Sequence, residues 1–409
     1  MKMKALRWYG IHDVRTEEID KPAPARGEVL IRVLYAGICG SDLHIYNKAM
    51  FIQNIPETMG HEFFGIVEDV SQADQPGRKS GFKEGDLVIA NPMMTCGECD
   101  SCRRGDFNTC EALGFIGEVR QGCFAKYICL PEDRLIHVPM YVDKYADMEK
   151  MALAEPLAVA VNVCNRAGLS TCLKAPGSGA DGLSSDKPAC EGLSSDGSSS
   201  GEPSSDGFSS GEPFSDGFSS GEPSPAKLSS GRQEAQTADQ VSLAIIGAGP
   251  IGLLTAALAR QVCGIHNVTV VNRSETRRNI AARLGARALP ALPDDARFDK
   301  VVEAAGSPAT LRLALEHVRA GGQVLAVSVF EDGDCPIDAN LIVGFQITLT
   351  GCNCYTTEDL KTAVDLLASG RIDVSPIITD IVSLDEGKAA FEKLCAKEKT
   401  AAKILFRME

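Results

Sequence analysis

The sequence predicts an α/β protein in two folded parts, one mostly β with metal-ligand candidates and one built on a parallel sheet with helices on both faces. Three observations carry this. Short β-type runs separated by turns fill the first 138 or so residues, with Cys39, His61 and Glu62 at strand ends. A strand, a glycine turn and a helix follow one another from Val241 and open a regular alternation of strands and helices. Between these parts, 175–238 loses its apolar residues.

A chain of 409 residues exceeds the roughly 250–300 at which single cores usually divide. No apolar run reaches the ~18 residues of a membrane span, and the first eight residues lack the apolar core of a secretion signal. No membrane partner and a cytoplasmic setting are therefore expected. A formal charge of −14 disfavours binding to a nucleic-acid backbone. Fifteen cysteines, an odd number with one tight cluster, favour metal and free thiols over a disulfide framework.

In chain order, L6-R-W-Y, the run from His12 to Asp20 and V29-L-I-R-V-L read as strands, with K21-P-A-P-A-R-G a stiff turn. Cys39 follows the third of these in A36-G-I-C-G-S41-D-L-H44. His61-Glu62 precedes F63-F-G-I-V, and D86-L-V-I-A is a further strand. A thiolate, an imidazole and a carboxylate are a ligand set for one Zn²⁺ that leaves a position for water or substrate. Residues 72–81 read as an exposed loop.

Cys96, Cys99, Cys102 and Cys110, separated by two, two and seven residues, can close on a second, structural Zn²⁺. The lobe around them, Pro92 to Phe115, is poor in apolar residues, so a metal can replace a core. Cys123 and Cys129 read as core thiols in a strand-like run. From Met148 to Cys164 the pattern is helical and apolar, which puts the Glu155 carboxylate where it needs a partner. It is a candidate zinc ligand or acceptor for zinc-bound water.

Three ten-residue units, SSDGSSSGEP, SSDGFSSGEP and FSDGFSSGEP, occupy 194–223. Such a composition cannot offset the entropy of ordering, so 175–238 is expected to be a disordered low-complexity insert.

In V241-S-L-A-I-I-G247-A-G249-P250-I251-G252, the glycines suit a tight turn, close approach to a pyrophosphate and helix–strand packing, with the helix N-terminus facing the phosphates. This is a Rossmann NAD(P)-binding signature. The next strand ends in Asn272-Arg273, with Arg277 in the following helix. An uncharged residue with arginines suits the 2′-phosphate of NADP, although Asn272 can also serve NAD. Strands at 298–306 and 323–329 and helices at 310–319, 358–370 and 385–394 continue the pattern. Residues 342–351 read as an extension of the sheet.

The motifs around Cys39, His61 and Glu62, the four-cysteine lobe, E155-P-L, the glycine turn and S369-G-R-I-D resemble the zinc-containing medium-chain dehydrogenase/reductase family, in its polyol, butanediol and threonine dehydrogenase branch. The resemblance covers 1–174 and 240–409. It implies a GroES-like catalytic domain made of 1–174 and 351–409, with a nucleotide domain at 239–350 between them. By resemblance Cys39, His61 and Glu62 hold catalytic zinc, Glu155 holds its fourth position or its water, and Ser41 and His44 carry the proton away. The cofactors expected are two zincs with NADP or NAD. The expected substrate is a small alcohol, diol or polyol, and a homodimer or homotetramer is expected. Departures are the insert, the long 72–81 loop, and Asn162 where relatives often have His. Rival readings are a zinc-independent quinone or enone reductase and a non-catalytic scaffold whose repeat segment binds a partner.

Overall fold

A computed structural model describes residues 1–72, 79–139, 148–169, 240–331, 333–396 and 398–408. The expected disordered insert lies outside the described residues, as does most of the 72–81 loop.

The chain begins with an antiparallel pair, β1 (Lys2–Gly10) and β2 (Asp13–Asp20). β3 (Glu28–Gly37) follows, and its near-continuous apolar run fits a strand covered on both faces. Past Cys39 the backbone turns into a helix that periodicity did not suggest, α1 (Gly40–Lys48). Its start is fixed by a capping interaction: the Cys39 N–H donates to Asp42 Oδ2 at 2.8 Å. Then come β4 (Glu57–Thr58), β5 (Glu62–Asp69) and β6 (Leu87–Ala90). The cysteine lobe carries only β7 (Met93–Met94), the short α2 (Asp100–Arg104) and β8 (Gly114–Phe115). β9 (Tyr127–Pro131) and β10 (Leu135–His137) complete this stretch.

A 3₁₀ segment, Met148–Leu153, leads into α3 (Ala154–Arg166), so Glu155 sits in the first turn of the α-helix. This helix is apolar nearly all round because it is buried nearly all round. Asn162 and Asn165 donate to Asp359 at 3.1 and 2.6 Å, tying α3 to a helix far along the chain.

After residue 240 the alternation is as expected. β11 (Ser242–Ile246), α4 (Pro250–Gln261), β12 (Asn267–Val271) and α5 (Glu275–Arg283) lead to β13 (Arg287–Leu289), a short strand that periodicity missed. β14 (Phe298–Glu303), α6 (Pro308–His317) and β15 (Val318–Ala326) follow. The expectation of a strand throughout 342–351 is corrected: α7 (Ala339–Phe345) occupies its first part and only β16 (Thr348–Gly351) is strand. Asp338 caps α7 by accepting from Asn340 N–H at 2.9 Å, and Gln346 ends it in the left-handed region at φ +52°. The apolar run that looked like a buried strand is largely exposed, with Val343 at 77% and Phe345 at 53%. These strands form one parallel sheet in the order β13-β12-β11-β14-β15-β16.

The C-terminal stretch, α8 (Thr357–Ala368), β17 (Ile378–Val382), α9 (Gly387–Cys395) and β18 (Lys403–Arg407), returns to the first part. β18 pairs antiparallel with β3, inside the sheet β10-β6-β5-β3-β18-β17 to which β9 also pairs through β3. One core joins Phe64 and Ile89 of that sheet to α3, α4 and α8.

Candidate active site

β3 and β5 are antiparallel neighbours, and their register sets Gly37 opposite Glu62. Cys39 lies two residues beyond Gly37, so the chain end of one strand and the chain start of the other bring Cys39, His61 and Glu62 together. One ligand atom from each lies within 4.8 Å of the others. A Cβ at Gly37 would stand 2.4 Å from Glu62 Oε2 and 2.8 Å from Lys403 Cε, so any larger residue there would have to displace the ends of those two side chains. Lys403, from β18, is buried to 1% side-chain exposure, forms an ion pair with the equally buried Glu62, and donates to Ile38 O at 2.8 Å. The other carboxylate oxygen, Glu62 Oε1, is buried with no hydrogen-bond partner. A half-buried thiol, a buried imidazole and an orphaned carboxylate oxygen within bonding reach of one point fit a Zn²⁺ ion.

The electrostatics agree with a cation site. Burial pushes the Cys39 thiol up, and the Glu62 charge adds to this. Burial alone would lower the His61 imidazole, but Cys39, Asp42 and Glu155 outweigh it and hold it well above its ordinary value. Asp42 is fully buried, its carboxyl raised by burial, and its Oδ1 has no partner. Glu155 is pushed up to about 7, first by burial and then by the Glu62 charge, with His61 opposing. Beside it, the buried Tyr355 hydroxyl makes no hydrogen bond of ordinary geometry, yet interacts with the Glu155 carboxylate. The surplus of carboxylates and thiol over cations is the state that a divalent ion relieves.

The two relay candidates lie on one face of α1, three residues apart. Ser41 Oγ is 3.4 Å from His61 Nε2. His44 turns its Nδ1 to Glu331 Oε1 at 2.5 Å, with Phe51 edge-on at 6.4 Å between ring centres.

Cys96, Cys99, Cys102 and Cys110 also converge, with one Sγ from each within 4.8 Å of the others. Backbone N–H groups of Cys96 and Cys99 donate to Cys110 Sγ and Cys96 Sγ at 3.3 and 3.4 Å. Cys99 is lowered to about 6 by backbone N–H groups of Glu111 and Cys102, whereas burial pushes Cys102 up to about 12. Four sulfurs with supporting amide donors fit a closed tetrahedral zinc site. The lobe is pinned to the segment before α8 by reciprocal bonds, Asn108 Nδ2 to Asn353 O at 2.9 Å and Asn353 Nδ2 to Asn108 O at 2.7 Å.

At the glycine turn, Gly247 takes φ +110°, and a Cβ there would lie 2.5 Å from Ala304 O. A Cβ at Gly252 would lie 2.0 Å from Gly247 O, whereas one at Gly249 would meet nothing. The open side at Gly249, followed by Pro250 and Ile251 at the start of α4, is where a pyrophosphate can reach the helix N-terminus. Asn272 Oδ1 accepts from Ser274 N–H at 2.9 Å. Arg273 is exposed. Arg277 is occupied differently from the sequence expectation: its Nε and Nη2 both donate to Ala401 O, at 3.0 and 2.9 Å. Lys399 adds a further cation there, lowered by burial and by the neighbouring Arg277 charge.

Two family models match this chain: the alcohol dehydrogenase GroES-like domain over 25–140 and the zinc-binding dehydrogenase over 250–369. The chain belongs to the zinc-containing medium-chain dehydrogenase/reductase family. This dehydrogenase is 26% identical to sorbitol dehydrogenase of Bacillus subtilis, covering 98% of this chain and 96% of that protein. It is 28% identical to L-threonine 3-dehydrogenase of Pyrococcus furiosus, covering 100% and 98%. Among solved structures, 2R,3R-butanediol dehydrogenase from Bacillus subtilis superposes with a TM-score of 0.73 at 26% identity over the full length of both chains. A zinc-binding dehydrogenase from Sinorhizobium meliloti bound to NADP gives 0.73 at 25%, covering 100% and 99%. The chain is an NAD(P)-dependent, zinc-binding alcohol oxidoreductase.

Sequence reasoning missed four residues of this dehydrogenase's site. A lysine inside the apolar strand A401-A-K-I-L-F was a legible sign of a buried pair. Asp42, three residues after Cys39, was a legible capping box. Tyr355 and Glu331 had no local signal.

Proposed function

We propose that this dehydrogenase oxidises a secondary alcohol in a diol, polyol or hydroxy-amino acid, with Cys39, His61 and Glu62 holding the catalytic zinc. The observation that carries the reading is the convergence of those three ligand atoms within 4.8 Å beside the buried carboxylate of Glu155. Zinc bound there supplies the Lewis acidity that lowers the cost of an alkoxide. NAD(P) supplies the hydride acceptor. Glu155 keeps the fourth position or its water, where a carboxyl poised near neutrality can hold or release a proton. Ser41 Oγ accepts the substrate hydroxyl's proton as its own proton passes on to His44 Nε2 and from there toward solvent. Cys96, Cys99, Cys102 and Cys110 hold a structural zinc, which calls for a reducing compartment such as the cytoplasm.

In the same reading, 1–174 with 351–409 form the catalytic domain and 239–350 the nucleotide domain. The coenzyme contacts are Gly247, Gly249, Pro250, Ile251 and Gly252 for the pyrophosphate and Asn272, Arg273 and Arg277 for the adenosine ribose. NADP is used at least as well as NAD. Support comes from the uncharged Asn272 and the exposed Arg273. A homodimer or homotetramer is included, supported by the exposed residues of β16 and by Val343 and Phe345 at the sheet's edge.

Initial-rate kinetics over a substrate panel with both coenzymes test this. Activity confined to unbranched primary alcohols refutes the substrate class. A kcat/KM at least tenfold higher with NAD, unchanged in Arg273→Ala, refutes the phosphate reading.

A further inference from the structure

Glu331 stands in the segment after β15, yet its carboxylate is shared by two side chains of α1. Oε1 meets His44 Nδ1 at 2.5 Å, and Oε2 forms an ion pair with Lys48. His44 and Lys48 are four residues apart, so they project from the same face of the helix and each takes one oxygen. The three side chains are partly covered, at 22%, 32% and 45% exposure for His44, Glu331 and Lys48. Phe51 closes on the imidazole edge-on.

We propose that Glu331 is a positioning residue for proton removal, fixing which nitrogen of His44 is free to accept the proton. An ionised carboxylate only accepts hydrogen bonds, so in neutral His44 the ring proton must sit on Nδ1. Nε2 is then the unprotonated nitrogen. The imidazolium formed when Nε2 gains a proton is stabilised by the same carboxylate. Lys48 keeps the arrangement in force: its hydrogen bond is the largest of the influences that hold the Glu331 carboxyl below its ordinary value. Among the described residues, Glu331 and Phe51 meet His44 directly, and Lys48 acts through the shared carboxylate. Because Glu331 follows β15 of the parallel sheet while His44 lies on α1, this setting depends on the two parts of the fold meeting.

The inference rests on His44 serving as the relay, so the test separates the two. Zinc-loaded, full-length protein labelled with ¹⁵N-histidine reports the tautomer of each imidazole. Wild type should show His44 protonated at Nδ1, and Glu331→Ala should move the proton largely to Nε2. Steady-state kinetics should show kcat falling roughly tenfold or more in Glu331→Ala, with KM within about twofold, and Glu331→Asp recovering part of it. An unchanged tautomer in Glu331→Ala overturns the inference. So does an unchanged kcat in Glu331→Ala while His44→Ala lowers it. If His44→Ala itself leaves kcat intact, the relay reading falls and the inference falls with it.

Discussion

Lys403→Met keeps most of the side-chain volume while leaving Glu62 buried without its cation. Both side chains are only 1% exposed, so neither water nor salt compensates. Removing one partner of such a pair costs about 3–5 kcal/mol. The loss has a ceiling, because protonating a carboxylate of ordinary acidity at pH 7 costs about 4 kcal/mol. Burial by itself would lower the Lys403 ammonium, but Glu62 and Cys39 raise it above its ordinary value, so the ammonium stays charged at neutral pH. The sign follows: this stabilisation is present below the unfolded pKa of lysine and is lost only as pH rises through the folded one. Denaturation of zinc-free protein at pH 7 should therefore show a loss of about 3–4 kcal/mol. Glu62→Gln in the same background should recover most of it, since the uncompensated charge is then gone. Zinc should reduce the penalty by taking the carboxylate. A coupling energy below about 0.5 kcal/mol in the double-mutant cycle would refute the argument that Glu62 depends on Lys403.

Two zincs per chain are expected by metal analysis, one removed by brief chelation and the other retained by the closed four-cysteine site; one zinc or fewer at the outset refutes this. Gly252→Ala should destabilise the fold, because its Cβ would stand 2.0 Å from Gly247 O, whereas Gly249→Ala should fold normally and weaken coenzyme binding. Thermal melts and coenzyme titration separate the two effects, and equal melts would contradict the packing argument. Burial raises the Glu118 carboxyl, so charging it opposes folding and stability falls as pH rises from the unfolded toward the folded pKa. Glu118→Gln should therefore be more stable than wild type at pH 8 and closely matched near pH 4, as read by denaturation midpoints.

The sequence by itself determined the features written in contiguous stretches. The cysteine spacings, His61-Glu62 ahead of an apolar strand and the strand–glycine–helix motif each encode local geometry that survives in any well-packed fold. Glycine conformations and short ligand loops depend on neighbours a few residues away, and so are legible there. Helix α1 and its capping box were equally local, but the glycine and polar residues around Cys39 masked the helical period. Tertiary structure alone decided which distant groups complete the site. Lys403 reaches Glu62 because β18 pairs with β3, and Glu331 reaches His44 because the parallel sheet faces α1. Arg277 turns to Ala401 rather than outward for the same kind of reason. Strand pairing and packing across hundreds of residues leave no periodic trace in the chain, since they depend on shape and register that arise only when the layers meet.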